Sequence, residues 1–313
     1  MQGTAKPKGL AKIWREVKRP FKQGIANLLS IRPKIQWKTG AQSFIVPYVE
    51  VSITTLCTLK CKNCGLYNTN YYFDSKKLPQ NFETQSLKTC IENFMDAVDG
   101  ISVFRLIGGE PFLHPDWDKL LQMLCQSNKV ENAEIISNGT FIPSVKKLNV
   151  LKHQKVNVVI SDYGSLSIQK DAMVAFFVHN QIKYRISNCI NDGWWNPGDN
   201  RDRMRSFEDR KSVFNSCYLA KKCKHILDGK LFVCSRDAHG QNLGIFPKSD
   251  PSSYTCLQNT INLRERIKSI YNCEAINSCN YCDGTHNSNP KLKAAAQYSN
   301  EDLVKLRSEQ KPE

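Results

Sequence analysis

From Ile45 onward, apolar and polar residues fall into a repeating order. Val46 to Ile53 (VPYVEVSI) alternates with a period of two, the pattern of a strand, and leads directly into a group of cysteines. Leu87, Cys90, Ile91, Phe94, Met95 and Val98 then recur at helical spacing, Gly100 ends that stripe, and the β-rich run Ile101 to Ile107 follows. The order continues with a helix at Trp117 to Cys125, a strand at Ala133 to Ser137, a helix at Ser144 to Leu151, a strand at Val156 to Ser161, a helix at Ile168 to His179 and a strand at Ile182 to Ile186. Repeated βα units need right-handed crossovers with helices over the sheet, so the pattern predicts an α/β protein whose parallel sheet closes into a partial or complete barrel.

The rhythm stops after residue 190. Gly193 to Arg210 is rich in Trp, Asn, Asp and Arg without a long apolar run and is read as a boundary; residues 211–290 hold seven of the thirteen cysteines as a small module, and residues 291–313 read as a polar helical tail. Ahead of the patterned region, residues 1–44 form a basic extension. Leu10, Ile13, Trp14, Val17, Phe21, Ile25 and Leu28 make an apolar helical stripe between Lys12, Arg15, Lys18, Arg19 and Lys22, with a kink or break at Pro20. Ten of the forty-four Lys and Arg lie in residues 1–40 against one Glu, so the net charge of +15 is concentrated there. Packing of the stripe on the main domain is the principal reading; contact with an anionic membrane surface and a targeting role are alternatives.

No run reaches the eighteen or so apolar residues of a membrane span, and the N-terminus lacks a secretory core, so the chain is placed in the cytoplasm. Thirteen cysteines in a reducing compartment point to metal or cluster ligation rather than disulfides. Cys57, Cys61 and Cys64 form a CxxxCxxC loop at a strand's C-terminal end. Three thiolates from one loop suit a cubane with one iron left open, whereas zinc asks for a closed tetrahedral set.

This loop resembles that of the radical S-adenosylmethionine superfamily, in which CxxxCxxC follows the first barrel strand. The resemblance implies a partial (β/α)6 TIM-like barrel over residues 45–210, a [4Fe-4S] cluster on Cys57, Cys61 and Cys64, and S-adenosylmethionine chelated by the open iron and cleaved to a 5′-deoxyadenosyl radical. Asn63 stands where many members carry an aromatic residue. Gly108, Gly109, Glu110 and Pro111 (GGEP), closing the second strand, resemble the segment that holds the cofactor's ammonium group, with the glycines allowing close approach of the ligand. Ser137, Asn138 and Gly139 resemble the segment contacting its ribose or carboxylate; Ser161 and Asp162, one strand later, are further candidates, and each also reads as an ordinary turn.

In the module, Asp228-Gly229 fits a type I′ hairpin turn whose second strand leads to Cys234, allowing Cys217, Cys234, Cys279 and Cys282 to meet in a four-ligand site. Structural zinc is the rival occupant, and Cys223, Cys256 or Cys273 are potential substitutes. Cys90, Cys125 and Cys189 read as buried thiols. The set resembles the twitch module, a shortened SPASM domain carrying an auxiliary cluster, in a subgroup that includes the butirosin-pathway aminocyclitol dehydrogenase and related sugar-modifying enzymes. The resemblance implies oxidation of an alcohol to a ketone on a sugar or aminocyclitol, with an electron donor such as flavodoxin or ferredoxin and no nucleic acid; the catalytic base is not assigned. Trp194 and Trp195 are candidates for stacking on a sugar, as are Tyr71 and Tyr72 for the site, against ordinary packing. Arg201, Arg203, Arg205 and Arg210 read as a solvated charged face or a phosphate site. The competing functions are a peptide-modifying maturase and a non-catalytic iron-sulfur or zinc protein.

Overall fold

The computed structural model describes residues 43–309 apart from 75 and 247–250. The basic helix expected in the N-terminal extension falls on residues outside that range. The described residues belong to one compact unit. Among the described residues no helix is long and apolar enough to cross a membrane.

Five parallel strands appear in the expected order: β1 (Val49–Thr54), β2 (Gly100–Gly108), β3 (Val130–Ser137), β4 (Val156–Ser161) and β5 (Tyr184–Ser187). The sixth, β6 (Lys224–Leu227), comes from the cysteine-rich module and lies parallel to β1 on its free side. It turns through Asp228 and Gly229, at φ 46° and 75°, into antiparallel β7 (Lys230–Phe232). Positive φ at both central residues is what a type I′ hairpin requires, as the Asp-Gly step predicts. β8 (Tyr254–Cys256) completes that edge, so core and module share one open, barrel-like sheet.

Helices α1 (Thr84–Ala97) and α2 (Trp117–Gln126) cover the outer face. Glu83 caps α1, accepting from Gln85 N and Ser86 N, and the stripe Leu87, Cys90, Ile91, Phe94 and Met95 is buried as its spacing predicts. It joins the core that takes in Val49, Val51 and Ile53, all fully buried. Burying each such apolar side chain contributes roughly 1.5–3 kcal/mol. The helix expected at 144–151 is instead a 3₁₀ helix, Val145–Lys152. Its two buried residues, Leu148 and Leu151, lie three apart, and three residues per turn puts both on one face.

The tail is likewise not one helix. Lys291–Leu292 pairs antiparallel with Trp194–Trp195, and the helix begins only at Asn300. Ser299 and Asp302 bond each other's backbone N–H reciprocally, a capping arrangement that fixes the helix start there.

The other face of the strands carries a polar row. His225, Glu50, Arg105, Glu134 and Asn157 stand side by side in register across β6, β1, β2, β3 and β4. Arg105 donates to Glu134 through Nε and Nη2 at 3.0 and 2.5 Å, and His225 Nδ1 meets Glu50 Oε1 at 2.9 Å. A buried hydrogen-bonded chain continues from His225 Nε2 to Ser52 Oγ (2.9 Å), to His239 Nε2 (3.1 Å), and from His239 Nδ1 to Tyr71 OH (2.9 Å).

Candidate active site

β1 runs into the cysteine loop, and the end of β2 crosses it in van der Waals contact. Gly109 N donates to Thr54 O (3.1 Å) and Glu110 N to Leu56 O (2.8 Å). A Cβ on Gly109 would lie 2.0 Å from Leu56 O, and one on Gly108 2.3 Å from Thr54 O. Both glycines are therefore required by the approach of this segment to the end of β1 and the start of the cysteine loop.

The loop is held from several sides. Tyr72 OH bonds both Cys57 N and Cys57 O at 2.9 Å, Lys60 Nζ donates to Cys57 O, and Thr69 Oγ1 donates to Cys61 O. Each sulfur accepts from a side-chain amide: Cys57 from Asn138 Nδ2 (3.6 Å), Cys64 from Asn68 Nδ2 (3.6 Å) and Cys61 from Gln297 Nε2 (3.1 Å). Burial pushes the Cys57 and Cys61 thiols up to about 12 and also raises Cys64, so a metal entering here must displace protons. The donor set, three thiols with N–H groups pointed at their sulfurs, fits an iron-sulfur cluster. Among the described residues no three Cys, His, Asp or Glu are grouped as for a single ion. A cubane distributes its thiolates over separate irons, so its ligands need not converge in that way.

Glu110 joins the strand ends. Its fully buried carboxylate accepts from Ser137 Oγ (3.1 Å), Asn138 N (2.8 Å) and Phe112 N (3.3 Å). Asn138 in turn donates to Thr58 Oγ1 (3.0 Å), tying β3 to the cysteine loop. GGEP, Ser-Asn-Gly and the cysteines thus form one connected edge. Asp162 is engaged elsewhere, ion-paired with Lys170 at 2.8 Å and accepting from Gly164 N, while Ser161 O accepts from Ser167 Oγ.

Burial pushes the Glu110 carboxyl from 4.5 to about 7. A group raised in the folded state contributes stability that is fully present below its unfolded value and is lost as pH rises through the folded one. Glu110→Gln, which keeps the neutral form, is expected to gain on wild type between pH 5 and pH 8 by on the order of 3 kcal/mol. Urea unfolding of both apoproteins at the two pH values measures this; an unchanged difference would show that the carboxylate is well solvated.

Cys217, Cys234, Cys279 and Cys282 line one cavity together with Arg236 and Asp237. Backbone N–H groups point at three of these sulfurs: Thr285 N to Cys217 (3.4 Å), Asp237 N to Cys234 (3.4 Å) and Gly284 N to Cys282 (3.3 Å). Cys223, Cys256 and Cys273 do not line it. The Arg residues read as a solvated face need correction at three positions: Arg210 is half-buried with Nη1 donating to Arg205 O (3.1 Å), and Arg203 and Arg205 are drawn in further. Arg205 donates to Cys279 O and Cys282 O, and both Arg203 and Arg205 pair with Asp283, with side chains only 13% and 18% exposed. Guanidinium forks satisfy the carbonyls of the C-x2-C turn, which draws these two out of solvent; Arg201 stays exposed.

Sequence reasoning missed Tyr163, partly buried against a small apolar cluster of Leu59, Cys61 and Ala295 and meeting Trp194 edge-on at 5.7 Å. Trp194 therefore stands beside the cysteine loop, whereas Trp195 lies under Lys291 Nζ. The polar row was also missed, although part of its signal was present: Glu50 and Ser52 alternate with the apolar Val49, Val51 and Ile53 in β1.

Residues 51–162 match the family model for the Radical SAM superfamily. The chain carries a radical SAM domain. Such a domain uses a four-iron, four-sulfur cluster and S-adenosylmethionine. Its matched segment contains the cysteine loop, GGEP and Ser-Asn-Gly. Among curated proteins it is similar to the GTP 3′,8-cyclase of Helicobacter pylori (strain HPAG1), 27% identical over 135 residues that are 41% of this chain and 40% of the cyclase. It is also similar to the Bacillus subtilis (strain 168) antilisterial bacteriocin subtilosin biosynthesis protein AlbA, 27% identical over 128 residues, 39% of this chain and 25% of AlbA. The chain thus spans well under half the length of these relatives. Among solved structures, BtrN in complex with AdoMet and 2-DOIA matches with a TM-score of 0.49 and 13% identity over 83% of this chain and 98% of that one.

Proposed function

We propose that the chain is a radical SAM oxidoreductase with two iron-sulfur clusters, oxidising an alcohol to a ketone on a carbohydrate-like small molecule. The observation that supports this reading is that Cys217, Cys234, Cys279 and Cys282 line one cavity in the same unit as the radical SAM domain; they are read as a second ligand set of the twitch/SPASM kind. Bound to these sites, the first cluster with S-adenosylmethionine supplies hydrogen-atom abstraction from a carbinol carbon, and a second cluster supplies a sink for the electron left when a proton departs.

Cys57, Cys61 and Cys64 would hold the first cluster, with S-adenosylmethionine bound beside it. Gly108, Gly109, Glu110, Ser137 and Asn138 shape the strand ends around it, with Glu110 and Asn138 fixing the loops against each other. The polar face inside the sheet, with Arg105, Glu134, Asn157 and Arg185, suits a substrate rich in hydroxyls rather than an apolar one. A cytoplasmic location and a flavodoxin or ferredoxin as donor complete the reading. The partial sequence match to AlbA favours a second one, in which the substrate is a peptide.

Anaerobically reconstituted protein is expected to hold about eight irons, falling to about four in the Cys57→Ala, Cys61→Ala, Cys64→Ala triple variant, and to form 5′-deoxyadenosine from S-adenosylmethionine only when the triad is intact. Four irons falling to none, with zinc retained, would remove the second cluster. Mass spectrometry of sugars, aminocyclitols and peptides incubated with active protein separates the readings: loss of two mass units from a sugar supports the dehydrogenase, and modification of peptides alone overturns it.

A further inference from the structure

The C-terminal segment lies against the cysteine loop through one antiparallel bridge. Lys62 N donates to Ala296 O at 2.7 Å and Tyr298 N to Lys60 O at 2.9 Å, with Cys61 opposite Gln297 in an antiparallel bridge. Ala295, fully buried and at φ 53°, packs with Leu59 and Cys61. The side chain of Gln297 is used completely: Oε1 accepts from Lys60 N (2.7 Å), and Nε2 donates to Ala295 O (2.7 Å) and to Cys61 Sγ (3.1 Å). Its orientation is fixed by chemistry, since a flipped amide would set N–H against N–H at Lys60 and oxygen against oxygen at Ala295.

We propose that Gln297 is a positioning residue for the cluster on Cys57, Cys61 and Cys64, and that its amide N–H on Cys61 Sγ favours the reduced cluster and so raises its reduction potential. The inference rests on the reading that these three cysteines hold that cluster. Hydrogen bonds to cluster sulfurs are one of the levers on potential, because a donor stabilises the extra negative charge that reduction places on the sulfur. Of the three side-chain amides on these sulfurs, Gln297 makes the shortest contact, 3.1 Å against 3.6 Å for Asn138 and Asn68. It is also supplied from 236 residues away, by a segment independent of the barrel loops.

Two full-length variants test this. Gln297→Glu keeps an acceptor for Lys60 N and loses the N–H donor; Gln297→Met loses both and adds no charge. Reconstituted proteins are titrated reductively with EPR detection, following the signal that changes when S-adenosylmethionine is added. Both variants are expected to keep wild-type iron content and to show a lower midpoint, and an exchangeable-deuteron coupling seen in wild type by pulsed EPR in D2O should disappear. Unchanged midpoints in both, or a shift in Gln297→Glu alone, would overturn the hydrogen-bond role. Wild-type protein without an S-adenosylmethionine-sensitive cluster would instead overturn the underlying reading.

Discussion

Gly109→Ala is expected to destabilise the chain by about 3–5 kcal/mol and to empty the cysteine loop of iron, because the added methyl has nowhere to go. Its Cβ would lie 2.0 Å from Leu56 O, 2.5 Å from Leu56 C and 2.7 Å from Cys57 Cβ. These are backbone atoms and the first atom of the Cys57 side chain, so no rotamer change relieves the clash. The end of β2 must lift away, breaking the Gly109 N to Thr54 O and Glu110 N to Leu56 O bonds and carrying Glu110 off Ser137 and Asn138. Gly65→Ala, beside Cys64 but with nothing within 4 Å of where its Cβ would stand, is the matched control and is expected to behave as wild type. Urea unfolding and iron analysis of the two variants decide the matter. A Gly109→Ala protein with wild-type iron and midpoint would mean that the crossing is loose and the glycine is there for a ligand after all.

That clash marks a limit on what could be read from the residues. The strands and outer helices were legible because their buried faces repeat locally: Leu87 to Met95 needs only its own spacing to declare a helix. The cysteine loop could be picked out because its three cysteines sit within eight residues of each other, and the module's hairpin because an Asp-Gly turn fixes the register of β6 and β7. What the glycines contact could not be picked out, since Thr54 and Leu56 lie more than fifty residues earlier. Gln297 had no local signal at all; its partner Cys61 is reached through a short extended segment that has no periodicity. The 3₁₀ helix at Val145–Lys152 and the delayed start of the tail helix show the same thing on a smaller scale, because a spacing of three and a Ser299–Asp302 cap override the expectation of an ordinary helix. Arg203 and Arg205 looked solvated because their neighbours in sequence are acidic, yet their partners in space are the carbonyls and carboxylate around the C-x2-C turn.

The polar row across the sheet makes the second large prediction, since its central pair is held by few alternatives. Arg105 and Glu134 bond at 2.5 Å with side chains 18% and 12% exposed, and the Arg105 guanidinium also lies 4.8 Å from the Tyr48 ring centre. Burial alone would raise the Glu134 carboxyl; Arg105 more than offsets this and holds it below its ordinary value. Arg105→Met leaves that carboxylate to Asn157 at 3.4 Å and to Arg185, at 3.5 Å and half exposed. Removing one member of a buried pair strands the other, so a loss of about 3–5 kcal/mol is expected by urea unfolding of the apoprotein at pH 7. The sign can be checked with pH: a carboxyl depressed in the fold contributes stability above its unfolded value and loses it as pH falls through the folded one, so the cost of Arg105→Met should shrink toward pH 4. Arg105→Met combined with Glu134→Met should recover most of the loss, because the stranded charge is gone. If the single variant costs under about 1 kcal/mol, Arg185 has taken over the pairing. If the double variant recovers stability and iron but no longer converts a substrate that wild type turns over, the row reads the substrate as well as holding the sheet, and its alternating charges are part of the site.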